Sequence, residues 1–163
     1  MSIKIVIGAL LVTLALVIVG CSSSTTNPPP SGPIRATLIV PQVTDGVVSI
    51  PESEVESKGN VRFMVETQDG NMNFMAYALN REIYVRANVC PPCQSIGFSL
   101  DETILVCDRC ATKFKAQTGE GISGACVDFP KASVTYEISG GHIVMNSTDL
   151  ITAYQDTLEP GWP

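Results

Sequence analysis

Histidine is almost absent from this sequence, since His142 is the only one in 163 residues. A metal site made of several histidines, or a pair of histidine ligands on one iron, therefore cannot be built from this chain. A catalytic histidine needs a partner to orient or activate it. His142 follows Gly140 and Gly141 with no neighbouring carboxylate, so we interpret it as a surface turn residue.

Other catalytic and binding signatures are also missing. The sequence contains no nucleophile paired with a base, no phosphate-binding loop and no dinucleotide fingerprint. It has 10 basic against 16 acidic residues and no cluster of lysine and arginine. Nucleic acid as a partner is therefore excluded, because phosphate neutralisation requires such clusters. We expect a protein that is not an enzyme acting on a small substrate.

The strongest chemical signal is a set of cysteines between residues 86 and 130. Two Cys-x-x-Cys pairs, Cys90 with Cys93 and Cys107 with Cys110, are separated by thirteen residues, and Cys126 follows. Each pair can present two sulfurs at a tight turn, and a second pair from a neighbouring hairpin completes four soft ligands. The spacing predicts a four-cysteine metal site.

The spacing does not choose the metal, because four thiolates suit zinc and iron–sulfur centres alike. Zinc would make the site structural and redox-silent, whereas an iron–sulfur cluster would make the protein an electron carrier. Pro91 and Pro92 remove two backbone N–H donors from the first turn, so its sulfurs should receive fewer hydrogen bonds than those of the second pair. Weaker donation favours a lower reduction potential.

Two alternatives use the same cysteines without a metal. Disulfides are common in exported proteins, but five thiols are an odd number, and bridging does not require the doublet spacing. Cys-Pro-Pro-Cys could also be the redox pair of a thiol-disulfide oxidoreductase. Such pairs usually begin a helix that stabilises the thiolate, whereas the sequence after Cys93 is typical of a turn and a strand.

The first 33 residues predict targeting rather than fold. Residues 1–20 have a short polar start, an apolar run and then Ile18-Val19-Gly20 before Cys21, which resembles a bacterial lipobox. We expect residues 1–20 to be a signal peptide and Cys21 to carry the lipid, with a plain membrane anchor as the alternative. Residues 21–33 then form a Ser/Pro-rich linker. The predicted location is the outer face of a membrane, the periplasm or the cell surface.

From Ile34 the pattern has a period of two residues with frequent turns, which predicts strands. We predict strands over residues 34–40, 47–50, 61–67, 72–79, 83–89, 96–100, 103–106, 132–138 and 142–145, with turns at Asp45-Gly46, Asp69-Gly70, Asp101-Glu102 and Gly140-Gly141. Pro51–Ser57 can form one helical turn. Ser147 can cap a short helix through residues 149–155. Residues 34–158 are thus expected to form one mainly β domain.

The chain from about Thr37 to Leu150 resembles the FtrD-like family of membrane iron–sulfur-containing proteins. The matching features are Asp45-Gly46-Val-Val-Ser-Ile-Pro51, the strand Asn73–Leu79, Val85-Arg-Ala-Asn-Val-Cys90-Pro-Pro-Cys93, Gly97-Phe98, Leu105-Val-Cys107-Asp-Arg-Cys110, Phe114 and Gly124-Ala-Cys126. The resemblance implies metal ligation by Cys90, Cys93, Cys107 and Cys110, with an additional metal or thiol role open for Cys126. It also implies electron transfer with a membrane or periplasmic redox partner and a link to iron transport.

A more remote likeness concerns the fold. The run Cys107-x-x-Cys110-x-x-x-Phe114, with Thr118-Gly119, Gly124, Pro130, Tyr136-Glu-Ile138, Gly141 and Ile143-Val144, is similar to the second half of a Rieske domain. This likeness implies a small antiparallel β domain whose two hairpin tips hold the metal. Cysteines stand where that family has histidines, and the added negative charge argues against a high, Rieske-type potential.

Overall fold

The computed structural model describes residues 32–162, which form short strands and two helices. The predicted signal peptide, Cys21 and most of the predicted linker lie outside the described residues. The strands are β1 (Ile34–Arg35), β2 (Thr37–Leu38), β3 (Gln42–Thr44), β4 (Val47–Pro51), β5 (Asn60–Thr67), β6 (Gly70–Leu79), β7 (Glu82–Ala87), β8 (Phe98–Asp101), β9 (Ile104–Cys107), β10 (Lys113–Lys115), β11 (Gly121–Ser123), β12 (Glu137–Ser139) and β13 (His142–Asn146). The helices are α1 (Glu52–Lys58) and α2 (Ser147–Leu158). The mainly β fold class is confirmed.

The strands pair into three sheets. Strands β8, β9, β10 and β11 follow one another in a five-stranded sheet, with β1 at the edge beside β8. A second sheet has the order β2-β5-β6-β7, and a third has the order β12-β13-β4-β3. Among the named strands of residues 32–162, all pairs are antiparallel except β2 with β5. No helix in this part of the chain is long and apolar enough to cross a membrane.

Strand β6 lies between two hydrophobic cores. Its side chains alternate, so that Phe74 and Ala76 join one core and Met75 and Tyr77 join the other. The first core is covered by both helices through Val55, Leu150 and Ala153. The second core contains Phe98 and Phe114 of the five-stranded sheet together with Cys90 and Cys107. A strand buried on both faces thus fixes the cysteine-bearing sheet against the rest of the domain.

The predicted glycine turns are close to the observed ones. Asp45 and Gly46 connect β3 to β4 with φ angles of 49° and 79°, which is the pair of positive values that a tight hairpin turn requires. The β5–β6 turn lies one residue earlier than predicted, at Gln68 and Asp69, and Gly70 begins β6. The Thr67 hydroxyl accepts a hydrogen bond from the Asp69 N–H (3.2 Å) and donates one to the Gly70 carbonyl (2.8 Å).

Two predicted strands differ strongly in extent from the observed ones. The segment 34–40 is not one strand, because it breaks at Ala36 into β1 and β2, which join different sheets. The two ends of the segment pack against different cores, with Ile34 on the second core and Ile39 on the first core. The segment 132–138 forms a strand only from Glu137. Residues before it cross the end of β7 instead, where the Val134 N–H donates to the Val85 carbonyl at 2.9 Å.

Both helices are longer than predicted. Helix α1 has seven residues, buries Val55 and is capped at its C-terminus by Gly59, whose φ is 72°. Helix α2 begins at Ser147 itself, so Ser147 is not its cap, and the preceding Asn146 makes no side-chain capping hydrogen bond. The helix continues to Leu158 because its last turn is also packed. Thr157 is fully buried, and its hydroxyl accepts a hydrogen bond from the Ala132 N–H at 2.9 Å.

Candidate metal centre

The two Cys-x-x-Cys loops share two backbone features. The Cys90 N–H donates to the Ser95 carbonyl at 2.8 Å, and the Cys107 N–H donates to the Thr112 carbonyl at 2.9 Å. In each loop the residue after the second cysteine is left-handed, with φ of 57° at Gln94 and 56° at Ala111. This shared turn folds both sulfurs of a pair toward one side of the loop. Among the described residues no helix starts at either pair, so the helix-start arrangement typical of thiol-disulfide oxidoreductases is missing here.

The hairpin of β8 and β9 brings the two loops together, as the sequence predicted. Phe98 pairs with Cys107 in the strand register, and the Asp108 N–H donates to the Gly97 carbonyl at 3.0 Å. The approach is so close at Gly97 that an added Cβ would lie 2.8 Å from a carboxylate oxygen of Asp108. The consequence is that the sulfurs of Cys90, Cys93, Cys107 and Cys110 all lie within 4.8 Å of one another.

The spacing of these sulfurs fits metal coordination. The Sγ atoms of Cys93 and Cys107, which come from different loops, are 3.7 Å apart. A tetrahedral ion with metal–sulfur bonds of about 2.3 Å separates its sulfur ligands by about 3.8 Å. The described cysteines are all free thiols, so the structure contains none of the alternative disulfides. Four thiolates in this arrangement are the donor set of zinc and iron–sulfur centres.

Cys126 lies beside the four sulfurs rather than among them. Its Sγ is 3.7 Å from the Sγ of Cys110, and the side chain is buried. Thr112, which is fully buried, connects the two cysteines. Its Oγ1 accepts a hydrogen bond from the Cys126 N–H at 3.2 Å and lies 3.2 Å from the Cys110 Sγ. Thr112 was not singled out from the sequence, and only its place two residues after a Cys-x-x-Cys pair could have indicated it.

The local environment divides the thiols by pKa. Burial raises the pKa of Cys90, and the neighbouring thiols of Cys93 and Cys126 raise it further. Burial also raises the pKa of Cys107, although hydrogen bonds from Ser95 and from the backbone N–H groups of residues 109 and 110 act to lower it. The equivalent of residue 109 in the first loop is Pro92, which has no N–H. The cysteine at the start of the first loop therefore lacks this donor, in agreement with the asymmetry expected from the two prolines.

Cys110 differs from both of these thiols. Burial acts to raise its pKa, but the hydroxyl and backbone N–H of Thr112 and the thiols of Cys107 and Cys93 stabilise its thiolate. These hydrogen bonds prevail and lower the pKa of Cys110 to about 6. The metal-free protein thus already holds one thiolate at neutral pH, at Cys110, whose Sγ is 3.7 Å from that of Cys126.

A buried lysine adjoins the cysteines, and sequence reasoning missed it. Lys131 is 1% exposed, and its ammonium donates to the carbonyl of Val89, the residue before Cys90 (2.8 Å). The Nζ lies 4.6 Å from the ring centroid of Phe114 and 5.3 Å from that of Phe98. Burial lowers the pKa of Lys131 to about 8, while thiolate charge at Cys90, Cys107, Cys126 and Cys93 acts to raise it. A single lysine in a strand-like segment gives no sequence signal of this role.

The remaining candidate, His142, is not part of the site. It begins β13 at a partly exposed position, and its Nδ1 lies 3.1 Å from the carbonyl of Gly140. The turn at Gly140 and Gly141 explains its position, as the sequence interpretation proposed.

The fold and the four-thiol site define a small β domain of the iron–sulfur or metal-binding type. Residues 41–156 match the family "Membrane iron-sulfur containing protein FtrD-like". The chain belongs to this family, which confirms the resemblance found in the sequence.

A solved structure supports the fold. A chain of the complex of reduced oxygenase and oxidised ferredoxin in carbazole 1,9a-dioxygenase is similar over 64% of this chain and 95% of its own length, with 16% sequence identity and a TM-score of 0.52. A ferredoxin of Sphingomonas yanoikuyae B1 has 21% identity and a TM-score of 0.43, over 51% of this chain and 83% of its own. The predicted Rieske-like fold is confirmed by the first likeness. No curated protein matches the chain.

Proposed function

We propose that this protein is an extracytoplasmic electron carrier that holds an iron–sulfur centre on Cys90, Cys93, Cys107 and Cys110. The convergence of four thiols from two matched loops within 4.8 Å carries the proposal. The family description, an iron–sulfur-containing membrane protein, supports iron over other metals. When bound, the centre would supply reversible one-electron chemistry.

The burial of the four cysteines supports electron exchange at the surface. Cys90 and Cys107 are buried, whereas Cys93 and Cys110, the second cysteines of the two pairs, are half-buried. The inner pair would hold the centre against the second core, and the outer pair would face a redox partner. The few hydrogen-bond donors around the first loop favour a low potential.

A structural zinc site is the second candidate. The compactness of the four sulfurs favours it, because a 3.7 Å separation between the two loops suits ligands that share one ion. Zinc would fix the loops and make the surrounding surface an interaction module without redox chemistry.

Metal analysis of the anaerobically purified full chain tests the two candidates. We expect iron with acid-labile sulfide and visible absorption bands that dithionite bleaches. Cys107→Ser should abolish these bands, whereas Cys126→Ser serves as the matched control and should keep them, because Cys126 lies outside the four sulfurs. A colourless protein with one zinc per chain would replace the electron-carrier proposal by the structural one. Iron without sulfide would indicate a single-iron centre.

The membrane location is a separate part of the proposal. We propose that Cys21 carries the lipid that holds the protein at the outer face of a membrane, which the lipobox-like sequence before it supports. Cys21→Ala should move the protein from the membrane fraction to the soluble fraction and remove incorporation of labelled fatty acid. Iron transport is a setting implied by the family resemblance, and iron uptake by cells lacking the protein would test it.

A further inference from the structure

A basic groove lies directly beside the cysteine loops. It encloses about 440 Å³ and is lined by Arg35, Arg62 and Arg109 together with residues 95–97. Arg109 belongs to the second cysteine loop, between Cys107 and Cys110, and residues 95–97 follow the first loop. The groove therefore adjoins both loops of the metal centre.

The three arginines have no carboxylate partner among residues 32–162. The two ion pairs found there join Lys58 to Glu54 and Lys115 to Glu120. The one carboxylate that lines the groove, Asp108, accepts a hydrogen bond from the Ser99 hydroxyl at 2.6 Å. An apolar side chain, Ile96, lies at the same place and is 42% exposed. Unpaired guanidinium groups around an exposed isoleucine form a surface that can bind an acidic surface of another molecule.

The charge of the whole chain makes this groove exceptional. The formal net charge is −6 at pH 7, so an acidic partner is repelled by the molecule as a whole. Attraction is strongest where positive charge is concentrated, and charge complementarity of this kind orients an encounter and raises its rate. Here the favoured orientation presents the cysteine loops to the partner.

We propose that the groove of Arg35, Arg62 and Arg109 is the docking surface for an acidic protein that exchanges electrons with the metal centre. This inference rests on the proposed electron-carrier function and names the kind of partner. Complexes of redox proteins are small and weak, so three charges and one apolar contact are sufficient to define one. A protein fits better than an anionic lipid surface because the groove is concave and includes the tip of a metal-binding loop, which electron exchange must bring near the partner's redox group.

Small redox probes of opposite charge test the groove in the metal-loaded full chain. After reduction with dithionite and removal of the excess, one electron passes from the metal centre to hexacyanoferrate(III), giving hexacyanoferrate(II), or to hexaamminecobalt(III). The rate with the anionic probe should fall as salt is added, in spite of the net charge of the protein, since attraction is screened. The variant with Arg35→Glu, Arg62→Glu and Arg109→Glu should react with this probe at least about tenfold more slowly at low salt.

Arg81→Glu is the matched control, because Arg81 is also exposed but lines a different pocket, with Glu52 and Glu82. Arg81→Glu changes the net charge by the same amount as any one of the three arginine-to-glutamate substitutions. Its rate with the anionic probe should stay within about twofold of the rate of the unsubstituted protein. The single variant Arg109→Glu, which changes the net charge by the same amount as Arg81→Glu, should react with the anionic probe more slowly than Arg81→Glu does. Equal losses in these two single variants would show that net charge, not the groove, sets the rate, and would overturn the proposal.

A binding measurement keeps the test independent of redox activity. With 15N-labelled, zinc-loaded full chain, a polyglutamate peptide should shift the backbone amide resonances of residues 95–97 and 109, and the triple variant should lose these shifts. A centre that transfers no electrons would defeat the proposed function, while these shifts would still support the groove. Absence of the shifts would overturn the docking surface. Loss of binding to phosphatidylglycerol vesicles in the triple variant, with unchanged polyglutamate shifts, would make the groove a lipid site and also contradict the proposal.

Discussion

Lys131 places a positive charge inside the second core, where a lone ammonium is costly. Its partners in the described structure are one carbonyl and two aromatic rings, so the negative charge of four metal-bound thiolates is its natural compensation. Reduction adds a further negative charge, and a nearby cation favours that step. Lys131→Met should therefore shift the one-electron reduction equilibrium toward the oxidised form by at least about tenfold, or about 59 mV.

Spectroelectrochemical titration measures this shift, and Lys113→Met is the control because Lys113 is an exposed lysine on β10. The reduction potential of Lys113→Met should differ from that of the unsubstituted protein by only a small fraction of the shift expected for Lys131→Met. Equal potentials in all three proteins would mean that Lys131 is only a packing residue. Thermal unfolding of the metal-free variant separates the two roles, since methionine in this apolar site should not destabilise the fold.

Cys110 should be the most reactive thiol of the metal-free protein, because thiolates are the nucleophiles and its pKa is lowered to about 6. Its alkylation rate by iodoacetamide should be level above about pH 7 and should fall about tenfold per pH unit below pH 6. Cys90 should react last, since burial raises its pKa and hides it. Mass spectrometry of peptides after timed alkylation measures both, and a faster reaction at Cys90 would contradict the assigned environments.

At the scale of elements, the contact of Gly124, which follows β11, with Thr112, which precedes β10, supports the metal centre. Gly124 has a φ of +119°, and an added Cβ would lie 2.7 Å from the Cα of Thr112. Gly124→Ala should displace Thr112 and, with it, the hydrogen bonds at Cys110 and Cys126. We expect a loss of unfolding free energy of about 3 kcal/mol or more from strain and overpacking together.

Gly140→Ala is the matched control, because Gly140 also has positive φ (+57°) but nothing lies within 4 Å of its added Cβ. The control should lose only about 1–2 kcal/mol, the cost of a left-handed L-residue, and should keep its metal. Chemical denaturation and metal analysis compare the two variants. Similar stability and metal content in both would show that the Thr112 contact does not support the site.

The same elements show how far the sequence could be interpreted. The turns at Asp45-Gly46 and Gly140-Gly141 were predictable because their positive φ angles restrict the residues allowed. The break of residues 34–40 at Ala36 was not, since an alternating pattern cannot show that the two ends of one segment pack on different cores. The last turn of α2 was missed for a similar reason. Thr157 is polar, and its burial is explained by the hydrogen bonds of its hydroxyl, which accepts from the Ala132 N–H and donates to the Ala153 carbonyl.

For the whole molecule, the convergence of Cys90, Cys93, Cys107 and Cys110 was predictable because doublet spacing and a connecting hairpin constrain it strongly. The residues that surround these cysteines were not predictable. Lys131 follows Cys126 by five residues but reaches the carbonyl of Val89, 42 positions earlier, and Arg35 reaches the groove from the first strand. Such long-range placements arise from the packing of sheets, which no local pattern encodes.

The thiol environments also determine how metal loading depends on pH. Metal binding requires thiolates, so every ligand that is protonated in the metal-free protein must release its proton. Because the pKa values of Cys90 and Cys107 are raised, each of these cysteines releases one proton when it binds metal at neutral pH. Cys110 has a pKa of about 6, so well above pH 6 it is already a thiolate and releases no proton. At pH 7.5, zinc binding should therefore release at least two but fewer than four protons.

Calorimetry of zinc binding in buffers of different ionisation enthalpy counts these protons. The number should increase below pH 6, where Cys110 is also protonated, and the affinity should then fall more steeply as the pH is lowered, because protons compete with the metal at one more ligand. Cys126→Ser should leave the count unchanged if Cys126 is not a ligand. Release of four protons at pH 7.5 would show that Cys110 is a thiol in the metal-free protein, and a lower count in Cys126→Ser would make Cys126 part of the coordination.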